Sequence, residues 1–328
     1  MKNLVLFISV VLIISCEASE GNINKIKASQ DEWSVSKQFL KEGTPFELMN
    51  TPNFKTVQEI SSLSDDSKVA LVSFKNEVRV YPYRYTNQFE IINDTFDGNF
   101  ISISYCPITQ SAICFNREVN GKIYNLIASG YLFKDNMVPS DENLIFFISQ
   151  MLMKGIKGEI ANKQLDHFNL IETKWKTVKT YFPNAMVFFH NNSKKKSNKG
   201  NTSKKSSFAY GILNTEKTTE TVELFQLDYF SKNTTSTTKN INQNIAIIIG
   251  NEEKKIFASY YVPNNKSLHL LDEDQFPNII ADTKGNIYNI FGYAISGPDT
   301  GLQLKSPKAY VAQLWAWKDF YEDININN

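Results

Sequence analysis

Residues that usually bind metals or form nucleophile–base pairs are scarce in this chain. It has three cysteines and three histidines among 328 residues. His167, His190 and His269 are scattered, so no two of them stand at a spacing typical of metal ligands, and no Ser-His-Asp arrangement can be proposed. The sequence also lacks a Gly-x-Ser-x-Gly motif and a glycine-rich phosphate loop. The common signatures of hydrolases and nucleotide-binding enzymes are therefore absent.

A strong excess of charge of one sign is also missing. Thirty-five Lys and Arg against 34 Asp and Glu give a formal net charge of +1. Six lysines lie in one tract, residues 191–207, which is built almost wholly of Asn, Ser, Lys, Thr and Gly. Such a tract cannot bury enough apolar surface to fold, so we predict a solvated loop, with binding to anionic lipid or glycan as the alternative. The balanced total gives no reason to expect a nucleic-acid partner.

Only one long apolar run is present, at residues 4–14, preceded by Lys2 and followed by Ser15 and Cys16. A basic start, a short apolar stretch and a small residue before the cleavage point are typical of a secretory signal peptide, here residues 1–15. A Cys at the next position resembles the lipobox of bacterial lipoproteins. We expect Cys16 to carry lipid, residues 16–54 to form a tether and lead-in, and the domain to be anchored at the bacterial cell envelope, with the outer membrane or cell surface favoured. An uncleaved anchor helix is the alternative.

The remaining chain divides into two halves, residues 55–190 and 208–328, on either side of the lysine-rich loop. Six residues of the first half have counterparts 139 positions later in the second: Ile156, Gly158, Leu165, Lys179, Tyr181 and Phe182 against Ile295, Gly297, Leu304, Lys318, Phe320 and Tyr321. A constant offset over this span predicts an internal duplication. A chance match of two aromatic amphipathic helices is the alternative.

Short β-branched or aromatic runs separated by Asn, Asp, Gly or Pro predict most of the secondary structure. The predicted strands are 69–74, 78–83, 100–105, 113–117, 123–128, 222–227, 245–249, 255–261 and 268–271. Apolar residues at spacings of three and four predict a helix with Ile171, Trp175, Val178 and Phe182 on one face. They predict another from Tyr310 to Tyr321, capped by Ser306 and Pro307. Residues 232–244 are predicted to be an exposed loop. The predicted fold class is α+β, predominantly antiparallel β with a few packed helices.

Several polar residues of both halves could carry chemistry, and their order resembles a known family. They include Glu90, Asn93-Asp94, Tyr105-Cys106-Pro107, Phe115-Asn116-Arg117, Ser129-Gly130, Asp141, Gln150 and Asp282. Over about residues 55–325 the chain resembles the bacterial family called domain of unknown function 3179, whose members show a His-Glu pair, an Asn-Asp, a Tyr-Cys-Pro-Leu-Cys turn, a Phe-Asp-Arg and a Ser-Gly-x-Leu. The candidate binding residues are Glu90, Asn93, Asp94, Tyr105, Cys106, Asp141, Gln150 and Asp282.

Two departures from the family pattern change what the resemblance implies. Phe89 stands where the family has His, and Thr109 stands where it has the second Cys. His with Cys-x-x-Cys would suit a soft metal or a redox reaction, but two of these three groups are missing here. Cys106 and Cys114 could form a disulfide, although their diagonal placement on a hairpin favours two free, buried thiols. We expect no metal site and no cofactor.

Two functions remain open on these observations. The favoured one is a non-catalytic binding or scaffold module of an envelope lipoprotein, whose protein or small-molecule partner the sequence does not identify. The alternative is a metal-dependent or redox enzyme with a site around Glu90, Asp94 and Cys106. The enzyme gains support if the side chains of Glu90, Asn93, Asp94, Cys106 and Asp141 converge in one cleft, and it loses support if they scatter.

Overall fold

A computed structural model describes residues 32–75, 77–191, 207–215 and 221–327. The predicted signal peptide, Cys16 and nearly all of the predicted loop at 191–207 lie outside these residues. Within the described ranges, no helix is both long enough and apolar enough to cross a membrane.

Sixteen strands belong to the first half and its lead-in. They are β1 (Leu40–Lys41), β2 (Phe54–Thr56), β3 (Lys68–Phe74), β4 (Glu77–Pro82), β5 (Ile91–Phe96), β6 (Asn99–Cys106), β7 (Ser111–Asn116), β8 (Glu118–Val119), β9 (Lys122–Ile123), β10 (Leu126–Phe133), β11 (Asn136–Asp141), β12 (Phe147–Ser149), β13 (Lys154–Lys157), β14 (His167–Phe168), β15 (Ile171–Lys174) and β16 (Met186–Phe188). Three sheets result: sheet I, of order β15-β3-β4-β16-β2; sheet II, of order β14-β7-β6-β5; and sheet III, of order β1-β10-β11-β12-β13. β8 and β9 form a separate hairpin.

Eleven strands belong to the second half. They are β17 (Phe208–Asn214), β18 (Thr221–Gln226), β19 (Thr235–Ile241), β20 (Asn244–Asn251), β21 (Ile256–Tyr261), β22 (Leu268–Leu270), β23 (Asn278–Asp282), β24 (Ile287–Asn289), β25 (Ala294–Ser296), β26 (Ala309–Gln313) and β27 (Asp323–Asn327). They form sheet IV, of order β26-β17-β18-β27; sheet V, of order β19-β20-β21; and sheet VI, of order β22-β23-β24-β25. In the described residues, all strand pairs are antiparallel except β4 with β16 and β18 with β27.

The described helices are short. They are α1 (Tyr83–Thr86), α2 (Trp175–Tyr181) and α3 (Leu314–Phe320), with 3-10 turns at Lys37–Phe39, Val57–Glu59, Leu227–Tyr229 and Glu273–Gln275. The predicted fold class, predominantly antiparallel β with a few packed helices, is confirmed.

Several local predictions were wrong. Residues 123–128 are not one strand, because β9 ends at Ile123 and β10 begins at Leu126. Ile171 lies on β15, and α2 begins only at Trp175. Residues 309–313 form a strand, so α3 begins only at Leu314. Its N-cap residue is Gln313 and not Ser306. Residues 235–241 form β19 rather than a loop.

Two of the sheets are buried on both faces. On β6 of sheet II, Ile101 and Ile103 belong to a core shared with sheet I, whereas Cys106 belongs to a second core shared with sheet III. The sequence of β6 alternates Ile and Ser from Ile101 to Ser104, yet all four residues are buried, because the serine face is covered by a second layer as well. On sheet V, Ile247 and Ile249 face the first core, whereas Ile248 faces a third core with sheet IV.

The same arrangement of elements occurs twice. In sheet I the β3–β4 hairpin is flanked by β15 and β16 with α2 between them, and in sheet IV the β17–β18 hairpin is flanked by β26 and β27 with α3 between them. Six backbone hydrogen bonds within residues 150–165 recur 139 positions later; for example, the bond from Leu165 N to Met153 O matches the bond from Leu304 N to Gly292 O. This repetition is what an internal duplication would produce, and the duplication itself stays a prediction.

Each helix packs against a sheet of the other half. The ring of Tyr181 at the end of α2 lies 4.6 Å from the ring of Phe276, beside sheet VI. In α3, the ring of Phe320 lies 5.4 Å from the ring of Phe133 on β10 of sheet III. The hydroxyl of Tyr321 donates a hydrogen bond to the carbonyl oxygen of Met151 at 2.9 Å. The two halves therefore share their hydrophobic cores.

Candidate functional site

A cavity of about 340 Å³ opens between sheets II and III. The end of β6 contributes Cys106, the turn after it contributes Pro107 and Ile108, and the turn after α1 contributes Glu90. The rest comes from β10, β11 and the lead-in. The remaining lining residues are Phe46, Ala128, Ser129, Gly130, Tyr131, Leu132, Met137 and Val138. Ligand sites in proteins combine this kind of largely apolar lining with a few polar groups.

An extended segment of the lead-in, residues 42–53, passes over one wall of the cavity. Phe46 N donates a hydrogen bond to the carbonyl oxygen of Ala128 at 2.9 Å, which fixes the segment to β10. The register of β10 with β11 shifts between Ala128 and Leu132, at a bulge that contains Gly130. A Cβ atom on Gly130 would lie 2.4 Å from the carbonyl oxygen of Thr44, and the φ angle of Gly130 is +82°. Only glycine suits both the backbone angle and the close approach.

Glu90 holds an unusual backbone conformation beside the cavity. Its φ angle is +59°, in the left-handed region that glutamate rarely adopts. Glu90 N donates to Thr86 O at 2.8 Å, and Glu90 O accepts from Tyr105 N at 2.7 Å. The turn is thus held at both ends. Twelve other non-glycine residues of the described chain also have a positive φ angle, so this angle defines a turn and does not by itself mark a site.

The two described cysteines are free and buried, which confirms that prediction. Cys106 pairs with Ser111 and Cys114 pairs with Ile103, so the two thiols point to opposite faces of sheet II. Burial and the charge of Glu90 raise the pKa of the Cys106 thiol, against weaker contacts to Thr109 and Met137. Burial, followed by the charge of Asp94, raises the pKa of Cys114. Both groups are protonated thiols at neutral pH, and a thiol is a poor nucleophile and metal ligand.

Asn93 and Asp94 make structural contacts away from the cavity. Asn93 Nδ2 donates to Leu126 O at 2.8 Å and its Oδ1 accepts from Leu126 N at 3.0 Å, so the side chain joins β5 to β10. Asp94 points to the opposite face of sheet II, where it accepts a 2.7 Å hydrogen bond from the hydroxyl of Tyr81 and pairs with Arg79.

Asp141 and Asp282 hold turns in corresponding places of the two halves. Asp141 accepts hydrogen bonds from the backbone N–H groups of residues 143, 145 and 146 at 2.7 to 3.1 Å. Asp282 accepts from the N–H groups of residues 284 and 286, and its Oδ2 lies 3.1 Å from the ammonium of Lys266. Lys266 also pairs with Asp299. Both aspartates therefore have the contacts expected of structural residues.

Gln150 belongs to a buried polar network and does not line the cavity. Its Oε1 accepts from Ser111 Oγ and from Asn136 Nδ2, both at 2.8 Å, and its Nε2 donates to Ser104 Oγ at 3.0 Å. Asn136 Nδ2 also donates to Thr109 Oγ1 at 2.9 Å. The hydroxyl that replaces the second family cysteine is thus a member of a fully buried hydrogen-bond network, which fixes the β6–β7 turn.

Tyr105 lies on the other face of the sheet, among groups that the sequence did not single out. Its ring stacks on that of Tyr83 with centroids 4.0 Å apart. The carboxyl of Glu172, on the neighbouring sheet I, has a buried Oε1 atom, and it interacts with the buried hydroxyl of Tyr83. Burial raises the pKa of Glu172 to about 7, against the opposing effects of Tyr83 and the Lys68 ammonium.

Replacing Glu172 by glutamine should stabilise the protein at pH 8. The folded-state pKa of about 7 exceeds the usual value of 4.5, so the native state binds more protons than the unfolded state between these pH values, and stability falls as the pH rises through this window. Glu172→Gln should therefore gain about 3 kcal/mol at pH 8 and almost nothing at pH 4. Urea unfolding of both proteins at the two pH values measures this. A loss at pH 8 would mean that Lys68 holds the carboxylate ionised.

Of the five side chains whose convergence would favour an enzyme, two meet at the cavity, Glu90 and Cys106. Asn93, Asp94 and Asp141 do not line it. Phe89, at the family's histidine position, is buried and lies edge-to-face against His190 with ring centroids 4.9 Å apart. In the described part of the chain, no group of three or more His, Cys, Asp or Glu side chains could hold a metal ion.

Most of the cavity wall was not predicted as a site. The Ser-Gly-x-Leu motif, Ser129 to Leu132, resembles the family pattern but gave no sign of a cavity. In the structure these residues form the bulged part of β10 that lines the cavity. Phe46 carries no sequence signal, because it belongs to the lead-in and reaches the cavity only through the path of residues 42–53. Met137 reads as an ordinary strand residue.

The geometry defines a predominantly antiparallel β protein with a largely apolar cavity beside Glu90. The chain belongs to a family described as protein of unknown function, DUF3179, whose model matches residues 47–324. This match confirms the resemblance inferred from the motifs. No curated protein and no solved structure matched the chain.

Proposed function

We propose that this chain is a non-catalytic binding module that holds a small, mainly apolar molecule in the cavity between sheets II and III. The observation that carries the proposal is the cavity lining itself: eight of its twelve residues are apolar side chains or glycine, and the other four are one glutamate, one cysteine, one serine and one tyrosine. A volume of about 340 Å³ falls within the range of small-molecule pockets in proteins.

The contacts of the surrounding residues support binding over catalysis. Cys106 has a raised pKa, which leaves it protonated and poorly nucleophilic. Asn93 is occupied by backbone groups of β10. A metal-dependent or redox enzyme around Glu90, Asp94 and Cys106 is the weaker proposal, because Asp94 faces the opposite side of sheet II and pairs there with Arg79.

We also propose that the module is a lipoprotein of the bacterial envelope, anchored through lipid on Cys16, and that its halves arose by duplication. The order of Lys2, the apolar run and Ser15-Cys16 supports the first idea, and loss of lipid labelling in a Cys16→Ser variant tests it. The matching sheet orders and hydrogen bonds support the second. The cavity would then be a feature of the first copy.

Filling the cavity should abolish binding of a neutral apolar dye. The test uses the mature chain from residue 16 with Cys16→Ser, so that no lipid is attached, and the environment-sensitive dye Prodan. Leu132 is partly exposed and lines the cavity, so Leu132→Trp should occupy the space with little strain and weaken Prodan binding at least about tenfold. Dye fluorescence titration measures the dissociation constant.

The matched control is Leu302→Trp. Leu302 is 63% exposed and lies outside the cavity, so the same substitution there should leave the titration unchanged. If Prodan does not bind the unaltered chain, or if both tryptophan variants bind it equally well, the cavity is not a binding site for an apolar molecule and the proposal fails.

A further inference from the structure

The outer edge of sheet IV is open at the place where sheet I has an additional strand. In sheet I, β16 lies parallel to β4, and β2 pairs with the other side of β16 in the antiparallel direction. In sheet IV, β27 lies parallel to β18 in the position that corresponds to β16, and it is the last strand of the sheet. Among the residues that the structure describes, no strand pairs with the outer side of β27. The second half therefore has a free strand edge where the first half is covered by β2.

Burial at corresponding positions shows what the missing strand leaves exposed. Val187 on β16 pairs with Val80, and Ile326 on β27, 139 positions later, pairs with Leu224. Val187 also has Lys55 of β2 opposite it on its outer side, and Val187 is 0% exposed. Ile326 is 40% exposed. Ile326 thus keeps apolar surface in water that its counterpart buries, and covering this surface would be favourable.

The five residues of β27 lack the features that usually keep an open edge unpaired. The strand reads Asp-Ile-Asn-Ile-Asn from Asp323 to Asn327, and its register against β18 continues without a bulge. Natural edge strands avoid pairing through lysine, proline, bulges or a covering segment of chain. β27 has neither lysine nor proline, and alternate residues of a strand direct their N–H and C=O groups away from its neighbour, where a further strand would bind them. The edge is therefore a template for β-strand addition.

A second copy of the chain has a strand that fits this edge, namely β27 itself. A two-fold axis perpendicular to the sheet brings two β27 strands together in the antiparallel direction, which is also the direction of β2 along β16. With the axis at Asn325, Ile324 faces Ile326 of the second copy, and Asp323 faces Asn327 of the second copy. Each isoleucine then has an apolar neighbour across the pair, and no like charges of the two strands lie opposite each other. β27 is therefore complementary to itself.

We propose that β27 is a dimer interface, in which two copies of the chain pair their β27 strands about a two-fold axis and join both copies of sheet IV into one continuous sheet. The proposal is independent of the cavity and of the proposed function, because neither β18 nor β27 lines the cavity. Five residues from each copy cover a small area compared with a standard protein interface. The dimer should therefore be weak, and its population should rise with protein concentration.

Disulfide cross-linking tests the register of this pairing. The test uses the mature chain with Cys16→Ser, in which Cys106 and Cys114 are buried. The two Asn325 residues of the dimer lie directly opposite, with Cα atoms about 4.5 to 5.5 Å apart, so Asn325→Cys should form a disulfide between copies under copper-phenanthroline oxidation. The two Asp323 residues would be about 13 Å apart, so Asp323→Cys, the matched control, should not.

A non-reducing gel measures the cross-linked fraction of both variants. Asn325 and Asp323 are exposed, so both cysteine substitutions should leave the fold intact. Cross-linking of Asn325→Cys alone supports the proposed register. No cross-linking of Asn325→Cys, or equal cross-linking of the two variants, would overturn the proposal.

Sedimentation equilibrium measures the strength of the dimer. A lysine at position 326 would place its charge beside Ile324 of the second copy and remove an apolar contact, so Ile326→Lys should raise the dimer dissociation constant at least about tenfold. The matched control is Ile295→Lys, on β25 at the edge of sheet VI, because Ile295 is also 40% exposed. This control should leave the dissociation constant unchanged. An unaltered chain that stays monomeric up to about 1 mM, or a dimer weakened by Ile295→Lys and not by Ile326→Lys, would overturn the assignment of the interface to β27.

Discussion

Replacing Trp317 by alanine should lower the free energy of unfolding by about 4 kcal/mol. Trp317 is fully buried in α3, its ring stacks on that of Tyr310 with centroids 4.5 Å apart, and its indole N–H donates to Ala209 O at 3.1 Å. A Cβ atom on Gly211 would lie 2.4 Å from the indole ring, so the ring fills its space tightly and its removal leaves a cavity. Urea unfolding followed by circular dichroism measures the loss.

Trp315→Ala is the internal control for this prediction. Trp315 lies on the same helix but is only partly buried, so the same change removes fewer contacts and should cost no more than about 2 kcal/mol. Equal losses for the two variants would contradict the assignment of Trp317 to the shared core and would point to a general effect on the short helix.

Gly130→Ala should cost about 3 kcal/mol and weaken Prodan binding about tenfold. Two causes act together: alanine disfavours a φ angle of +82°, and its Cβ would collide with the carbonyl oxygen of Thr44. Relief of the collision requires the lead-in to move away from β10, and Phe46 would move with it. Stability and dye binding should therefore fall together in this variant.

Gly98→Ala separates these two causes. Gly98 has a similar φ angle of +77°, but a Cβ atom there would meet nothing within 4 Å. It should cost only the conformational penalty, about 1 kcal/mol, and leave dye binding unchanged. If the two alanine variants lose the same stability and both bind Prodan normally, the close approach of residues 43–46 to Gly130 is not tight in solution.

The sequence predicted those elements whose apolar residues are buried on both faces. β20 and β21 were found because β-branched or aromatic residues predominate in their runs. β19 was missed because its residues alternate between half-buried and exposed and are mainly Thr, Ser, Asn and Lys, which is also the composition of a loop. The start of α3 was misplaced because Tyr310 and Leu314 keep a helical spacing even though Tyr310 lies on a strand.

The candidate site could be predicted only in part, since a cavity depends on contacts between distant segments. Glu90 and Cys106 carried a motif and line the cavity. The role of Phe46 depends on a lead-in hydrogen bond to β10, which no local pattern encodes. Asp94 was predicted as a site residue because carboxylates often bind ligands. In the structure it forms an ion pair with Arg79, and this contact depends on the register of the strands, which the sequence does not show. Glu172 gave no sequence signal, because its raised pKa results from burial in the folded protein, which outweighs the opposing hydrogen bond from Tyr83.

The exchange of helices between the halves bears on how such a chain could have originated. Each half places its helix against the sheet of the other, through Tyr181 on Phe276 and Phe320 on Phe133. If the halves are copies, an ancestor with a single copy would have exposed both the helix face and the sheet face. Two ancestral chains could bury these surfaces only by pairing about a two-fold axis. On this view the present protein is a homodimer fused into one chain, in which each half became free to lose the features that the other retained.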